Sequence, residues 1–473
     1  MTTRHDPTPT QTAHRGRIIA VTVAAALGGL LFGFDTAVIN GAVDAIKGEF
    51  GVSESVLGFT VAITLIGCAV GAWFTGGLAD RFGRRPVMTL AAAVFVVQSA
   101  GSAFAFSAYD LMAWRLLGGL AIGAASVIAP AYISEIAPAK YRGALASLQQ
   151  LAITVGIFLS LLNDAGLAAL AGGASETLWL GMAAWRWMLL VGVVPALVYG
   201  ILSWRIPESP QYLVRAGRDD EAAEVLRTVT GVEDPAHKIS EIRRTADLES
   251  RRSLADLKGS VLGLHPLLWV GMGMAVLQQF VGINAIFYYS TTLWKSVGFS
   301  EEDSFTTSVI TAIVNVAMTF VAIGLVDRVG RRRLLLWGSV GMFVGLVMAS
   351  YSFAHATTVG GELSLPAPYG PIALVGANLF VVFFAATWGP ILWVALGEIF
   401  PNRMRSRALG VSTSANWIAN FVVTLLVPIV TARFGTSALY AGFAFFAALS
   451  FVFVIKFFPE FSGRELEDRP ADA

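Results

Sequence analysis

Apolar residues along this 473-residue chain come in long blocks separated by short polar joints. Each block reaches roughly twenty residues or more, the length needed to cross a hydrocarbon core of about 30 Å. Backbone groups surrounded by lipid must be satisfied within their own segment, so each block predicts a helix. Six spans are expected near 18–43, 56–79, 87–107, 111–133, 144–167 and 185–204. Six more follow near 264–294, 306–326, 334–353, 371–396, 407–431 and 437–458. The expected architecture is an all-α membrane protein of twelve transmembrane helices in two six-helix bundles, 18–204 and 264–458. The polar stretch 205–263 between them carries Glu221, Glu224, Arg227, Glu241, Arg243, Arg244, Glu249, Arg251 and Arg252 among helix formers, and predicts a soluble helical linker. Residues 1–17, polar and with two prolines, predict a disordered tail, and 459–473 a second short tail. The run from Ile18 is too long for a signal peptide and carries Asp35 in place of a small-residue cleavage site.

Composition agrees with this pattern. Only 14% of residues are charged and 55% are hydrophobic, a balance a soluble chain of this length does not have. The lone cysteine, Cys68, excludes an internal disulfide and reads as a small packing residue. Short loops rich in Lys and Arg stay in the cytoplasm. Here the loaded connections follow spans 2, 4, 6, 8 and 10, with Arg81, Arg84 and Arg85, Lys140 and Arg142, the linker, Arg328 and Arg331 to Arg333, and Arg403, Arg405 and Arg407. The opposite loops hold mainly Lys47, Arg186, Lys295 and Arg433. Both termini and the linker are therefore expected in the cytoplasm. The five histidines, His5, His14, His237, His265 and His355, show no metal-ligand spacing, and no Walker A sequence occurs. An enzyme and an ATP-driven pump are disfavoured, and no cofactor, metal or nucleic-acid partner is expected.

The two halves echo each other. Leu78-Ala-Asp-Arg-Phe-Gly-Arg-Arg-Pro86 matches Leu325-Val-Asp-Arg-Val-Gly-Arg-Arg-Arg333, and Glu135-Ile-Ala-Pro-Ala-Lys-Tyr-Arg142 matches Glu398-Ile-Phe-Pro-Asn-Arg-Met-Arg405. Each pair follows the second and fourth spans of its half. Repeated bundles are what a carrier needs to expose one midplane site to each side in turn.

The Asp-Arg-Phe-Gly-Arg-Arg loop and its second copy resemble the major facilitator superfamily. Further phrases resemble its sugar porter family: Gly28-Gly-Leu-Leu-Phe-Gly-Phe-Asp-Thr36, Arg115-Leu-Leu-Gly-Gly119, Pro207-Glu-Ser-Pro210, Gln278-Gln-Phe-Val-Gly-Ile-Asn284 and Gly389-Pro-Ile-Leu-Trp393. They fall in family order along nearly the whole chain. The resemblance implies alternating access and a monosaccharide substrate, and is nearest to bacterial proton-coupled symporters working as monomers in the inner membrane. Composition and span counting show neither. Departures from the family pattern are Gln211 after Pro-Glu-Ser-Pro, Leu392 for a second proline, the degraded Pro459-Glu-Phe-Ser-Gly463, and Ile157 where the family has an amide.

Side-chain amides match neutral sugar hydroxyls without burying a charge at lipid depth, and aromatic faces suit the apolar face of a pyranose. The resemblance places Gln150, Gln278, Gln279, Asn284, Asn315, Trp393 and Asn416 at sugar-contact positions, Tyr288 at a closing aromatic, and Phe32 on the first-span face toward the site. On a helix Gln278 and Gln279 point about 100° apart and Asn284 lies nearly two turns on. Gly282 between them can loosen the turn so that all three reach one cavity.

Asp35 lies deep in the first span, where an ionised carboxylate is costly and usually functional. Counting inward from the outer span ends puts Asp35 and Arg115 at depths about 6 Å apart, within reach of an arginine side chain. Desolvation favours the protonated form of a carboxyl and a nearby guanidinium favours the charged form. A changing distance between them would tie proton binding to which side is open. The resemblance gives the Asp the proton and the Arg a modulating role, against the alternative of a permanent structural ion pair.

Asp80, Arg84, Arg85, Glu135, Arg142 and Glu208 in one half and Asp327, Arg331, Arg332, Glu398 and Arg405 in the other are expected to form inter-helix salt bridges that hold the inner side closed. Charge sign alone explains the arginines as loop anchors but not the paired acids. The reading is a proton-coupled symporter with glucose as first choice and xylose or galactose next. A facilitative uniporter, a channel and a non-transporting membrane sugar sensor are the alternatives.

Overall fold

The computed structural model describes residues 9–136, 142–250, 257–359, 362–400 and 404–458. The first half consists of α1 (Pro9–Phe50), α2 (Glu54–Phe82), α3 (Arg84–Ala103), α4 (Ala108–Ile136), α5 (Arg142–Ala171), and a sixth crossing split into α6 (Ala184–Leu190) and α7 (Val193–Arg205). The linker holds α8 (Pro210–Arg215), α9 (Asp219–Val225) running into a π-helical turn (Leu226–Thr230), and α10 (Pro235–Ser250). Strand β1 (Lys258–Val261) leads into the second half.

That half begins with one crossing broken in two, α11 (Pro266–Phe280) and α12 (Ile283–Lys295), followed by α13 (Glu301–Val329) and α14 (Arg331–Phe353). A small antiparallel hairpin, β2 (Thr357–Val359) with β3 (Glu362–Ser364), precedes α15 (Tyr369–Phe383). A π-helical turn (Phe384–Trp388) separates α15 from α16 (Gly389–Ile399), and α17 (Arg405–Phe457) closes the described chain.

Among the described residues, eleven helices are long and apolar enough to cross a membrane. The last is 53 residues. At 1.5 Å per residue it would reach about 80 Å, more than twice a hydrocarbon core. It bends at Gly435, whose φ of 82° and ψ of 166° lie where only glycine sits without strain. The element therefore supplies two crossings, and the total among the described residues is twelve. At the other end, α1 starts at Pro9, inside the stretch expected to be disordered. Pro9 suits a first helical turn, nothing after it breaks the helix, and Arg17 Nη1 is held by the linker carbonyl of Thr228 at 3.1 Å.

Small residues set the packing. In the α2–α4 contact Gly67 and Gly71 face Gly119 and Gly123, and a Cβ added at Gly119 would collide with the carbonyl oxygen of Thr64. The α1–α5 contact is closed in the same way by Gly33 and Gly156, and α14–α15 by Gly345 and Gly376. Lipid gives no hydrophobic drive between helices, so close backbone approach and its dispersion energy must do the holding. The linker has a small core of its own, built from Leu213, Val214, Ala222, Leu226 and Ile239.

The two halves are bonded to each other at the end of the bundle away from the linker. Asn40 Oδ1 on α1 accepts from Thr291 N on α12 at 3.0 Å, and Thr291 Oγ1 donates back to Asn40 O at 2.8 Å. Thr292 Oγ1 donates to Asp44 Oδ1 at 3.0 Å, and Lys295 Nζ lies 3.0 Å from Asp44 Oδ2. Glu301 on α13 accepts from Ala174 N, just past α5, at 2.8 Å. That end is closed.

A branched side chain at Gly119 would force α2 and α4 apart, an overpacking cost of about 1–3 kcal/mol. Gly119→Val should lower the melting temperature of the detergent-purified protein. Gly76→Val, at a glycine with open space around its Cβ position, should leave it nearly unchanged.

Candidate functional site

The broken seventh crossing builds the centre of the site. Gln278 and Gln279 occupy the last turn of α11, and the chain then turns at Gly282, whose φ of 90° lies in the left-handed region. The turn lets Asn284 at the start of α12 reach back, so its Nδ2 donates to Gln279 Oε1 at 2.7 Å. From α17, Asn416 Nδ2 donates to Gln278 Oε1 at 2.9 Å and to Ala275 O at 2.9 Å, while its Oδ1 accepts from Gln279 Nε2 at 3.1 Å. Gln278 Nε2 donates to the carbonyls of Trp388 and Gly389 at 3.1 and 3.3 Å, where the π turn meets α16. Four amides from three helices thus form one connected network.

An aromatic and hydroxyl layer lies beside it on α12. Tyr288 OH accepts from Asn420 Nδ2 at 3.5 Å. Tyr289, with non-helical φ/ψ, donates its OH to Thr424 O at 3.2 Å. Thr424 O is the carbonyl that loses its helical partner because Pro428, four residues on, has no N–H. Phe32 of α1 meets Trp417 of α17 edge-on at 5.4 Å, bringing the first half against the residue that follows Asn416.

Three expected sugar contacts stand outside this network. Asn315 is buried on α13 and Gln150 half-buried on α5, and neither makes a side-chain hydrogen bond among the described residues. Trp393 on α16 is 39% exposed. The tryptophan joined to the amides is Trp388, whose indole donates to Leu335 O and Ser339 Oγ, both at 3.0 Å.

In the first half, Asp35 and Arg115 face each other in the interior, 4% and 2% exposed. Arg115 Nη1 lies 3.3 Å from Asp35 Oδ2 and equally far from Asp35 O. The other carboxylate oxygen, Oδ1, accepts from Gln98 Nε2 on α3 at 2.9 Å. A second buried carboxyl, Asp164 on α5, accepts from Gly41 N and Asn163 Nδ2, both at 3.2 Å. Sequence reasoning passed over Gln98, Asp164, Asn420 and the Asn40–Thr291 pair. Their one available signal was a polar side chain inside an apolar block, which is costly at membrane depth.

A family model described as Sugar (and other) transporter matches residues 21–472, nearly the whole chain. The chain belongs to the sugar transporter family. It is 48% identical to a glucose transport protein of Synechocystis over 96% of this chain and 97% of that one. It is 33% identical to the D-xylose-proton symporter of Escherichia coli strain K12, over 96% and 95% of the two chains. The solved partially occluded inward open conformation of the xylose transporter XylE from E. coli superposes with a TM-score of 0.81 at 32% identity, covering 95% of this chain and 100% of that chain. The fold is thus that of the major facilitator superfamily, and the protein is a membrane carrier, not an enzyme.

In this sugar transporter the charged residues on the linker side pair across helices within each half. Arg84, at the start of α3, lies 2.9 Å from Glu135 near the end of α4 and 3.2 Å from Asp80. Glu135 is also bonded to Ser209 Oγ, and Arg215 reaches Asp80 at 3.4 Å, which ties α8 of the linker to the cluster. Glu208 caps α3 by accepting from Arg84 N at 2.9 Å and Arg85 N at 3.2 Å. Burial pushes the Glu208 carboxyl upward, against the backbone donors and Arg84, which pull it down. In the second half Arg331 lies 2.9 Å from Glu398, and Arg332 donates to Ile455 O at 2.9 Å. The side chains of Arg142, Asp327 and Arg405 lie outside the described residues, as does the Pro459–Gly463 segment.

Glu135→Ala would take from the Arg84 guanidinium its close and equally buried ion-pair partner, leaving the exposed Asp80 as its remaining salt bridge. Breaking a buried pair from one side costs about 3 kcal/mol or more. The purified variant should melt well below the parent in a detergent thermal-shift assay, and Ser134→Ala, at an exposed neighbour, should not.

Proposed function

We propose that this chain is a proton-coupled monosaccharide symporter, with glucose as its first substrate and xylose or galactose as lesser candidates, acting by alternating access in a bacterial inner membrane. Its termini and linker would face the cytoplasm, following the distribution of Lys and Arg. The observation that carries the reading is the placement of two polar centres in one apolar molecule. An amide network spans the break at Gly282, and a buried Asp35–Arg115 pair sits in the opposite half. The first suits neutral hydroxyls, and the second suits a single exchangeable proton. The 48% identity to a glucose transport protein supports glucose, and the likeness to arabinose-proton and xylose-proton symporters supports coupling.

In this reading Gln278, Gln279, Asn284 and Asn416 bind the sugar ring from the second half. Gln150, Asn315 and Trp393 complete the site when the halves rock, and Tyr288 and Phe32 close over it. The Asn40, Asp44, Thr291 and Lys295 contacts fasten the outer face. The Arg84–Glu135 and Arg331–Glu398 clusters act at the inner face, holding it shut in the opposite state. The carrier works as a monomer surrounded by lipid.

Reconstitution in liposomes with labelled hexoses and pentoses, with and without a pH gradient, tests substrate and coupling together. Glucose should accumulate only when the gradient is imposed. Asp35→Asn should abolish that accumulation while retaining counterflow; full gradient-driven accumulation by this variant would remove Asp35 from the mechanism. Gln279→Ala should raise the KM for glucose at least about tenfold, as expected when a site loses a hydrogen bond worth about 1.5 kcal/mol or more. An unchanged KM would take Gln279 out of the site.

A further inference from the structure

The Asp35 carboxyl is held from two other helices, and the coupling pair accounts for only one of its oxygens. Arg115 of α4 stands 3.3 Å from Oδ2. Oδ1 belongs to Gln98 of α3, whose Nε2 is closer, at 2.9 Å. Gln98 is 1% exposed, and its position is built from several sides. Its Nε2 also donates to Ser99 Oγ at 3.0 Å, and its Oε1 accepts from Ser102 Oγ at 3.4 Å. On the facing helix, Gly118 leaves the room the amide fills. A Cβ there would sit 2.7 Å from both Gln98 Cδ and Oε1. Gly118 is one turn from Arg115, so α4 supplies the guanidinium and the space for the amide together.

An amide carries a strong donor and a strong acceptor side by side on one neutral group. Toward an ionised Asp35 it presents N–H, as observed. Toward a protonated Asp35, a half-turn about its last torsion presents the carbonyl oxygen to the new O–H. The carboxyl gains one proton and the amide exchanges donor for acceptor, keeping one hydrogen bond at Oδ1 in either state, the stronger being the one to the charged carboxylate. Arg115 cannot do this, because a guanidinium only donates.

We infer that Gln98 is a positioning residue for proton coupling: it orients the Asp35 carboxyl against Arg115 and sets the pH at which the carrier loads its proton. The inference rests on the proposed reading of Asp35 as the coupling group. Other titratable or charged groups facing this level are Arg115 from α4, Cys68 from α2 and Tyr288 from α12. Those from the remaining elements packed on α1 lie further along it. Asp164 of α5 stands against Gly41, Tyr199 of α7 against Gly28, and Arg186 of α6 against Glu49.

The test is the pH profile of gradient-driven sugar uptake in proteoliposomes, each variant scaled to its own maximum so that loss of folded protein does not move the midpoint. A hydrogen bond to the charged carboxylate favours the charged form, so Gln98→Met, similar in volume but without a donor, should move the midpoint about one unit toward higher pH. Gly118→Ala displaces the amide from the other side and should move it in the same direction, which keeps the test open if Gln98→Met does not insert. Midpoints unchanged in transporting variants, with Asp35→Asn devoid of accumulation, would overturn the role of Gln98 and leave Asp35 coupling intact. Full accumulation by Asp35→Asn would overturn both.

Discussion

In the membrane-spanning segments every backbone N–H and C=O must find its partner without bulk water, and the rest of the structure follows from that requirement. Unbroken helices meet it at once. Where a helix is interrupted, the released groups need something else, and the interruptions are where the chain places its polar side chains. Pro428 strips Thr424 O of its helical donor, and the Tyr289 hydroxyl supplies one. The join of the π turn to α16 offers two carbonyls to the Gln278 amide. Met188 O, near the break between α6 and α7, takes a bond from Asn163. Function in the second half is built on the same need: once Gly282 turns the chain, the amides that bond the broken ends also come together.

The two halves use their interiors differently. The second gathers neutral amides around a broken crossing, while the first keeps its crossings α1 to α5 whole and buries a charge pair among small-residue contacts. Glycines at α2–α4 and α1–α5 bring backbones so close that little freedom remains around Asp35 and Arg115. A rigid cage holds the buried charge pair at one distance, and the broken helix is what brings the amides together.

Much of this was legible in the order of residues. Helix existence follows from block length, the crossing count from the breaks between blocks such as that between 431 and 437, and the convergence of Gln278, Gln279 and Asn284 from a glycine placed between them. The depths of Asp35 and Arg115 already allowed contact, because rise per residue is fixed. What the order of residues did not reveal depends on rotation about helix axes. Gln98 lies in the run Val96-Val97-Gln98-Ser99, whose sequence gives no hint that it faces α1. Trp388 and Trp393 are five residues apart, and only the π turn decides which of them joins the amides. The start of α1 at Pro9 was likewise hidden, because polar helix formers in a tail look alike whether or not a linker carbonyl awaits Arg17.

The amide network carries one more consequence. Every side-chain N–H of Gln278, Gln279 and Asn416 is already engaged with a neighbouring amide or a backbone carbonyl, so under the proposed reading a hydroxyl arriving at these three must trade places with bonds that exist. The exchange conserves the number of bonds and leaves a shallow well in place of a deep trap. A receptor built this way would be mediocre. For a machine that has to let go of its cargo on every turn of its cycle, shallow capture is the useful kind.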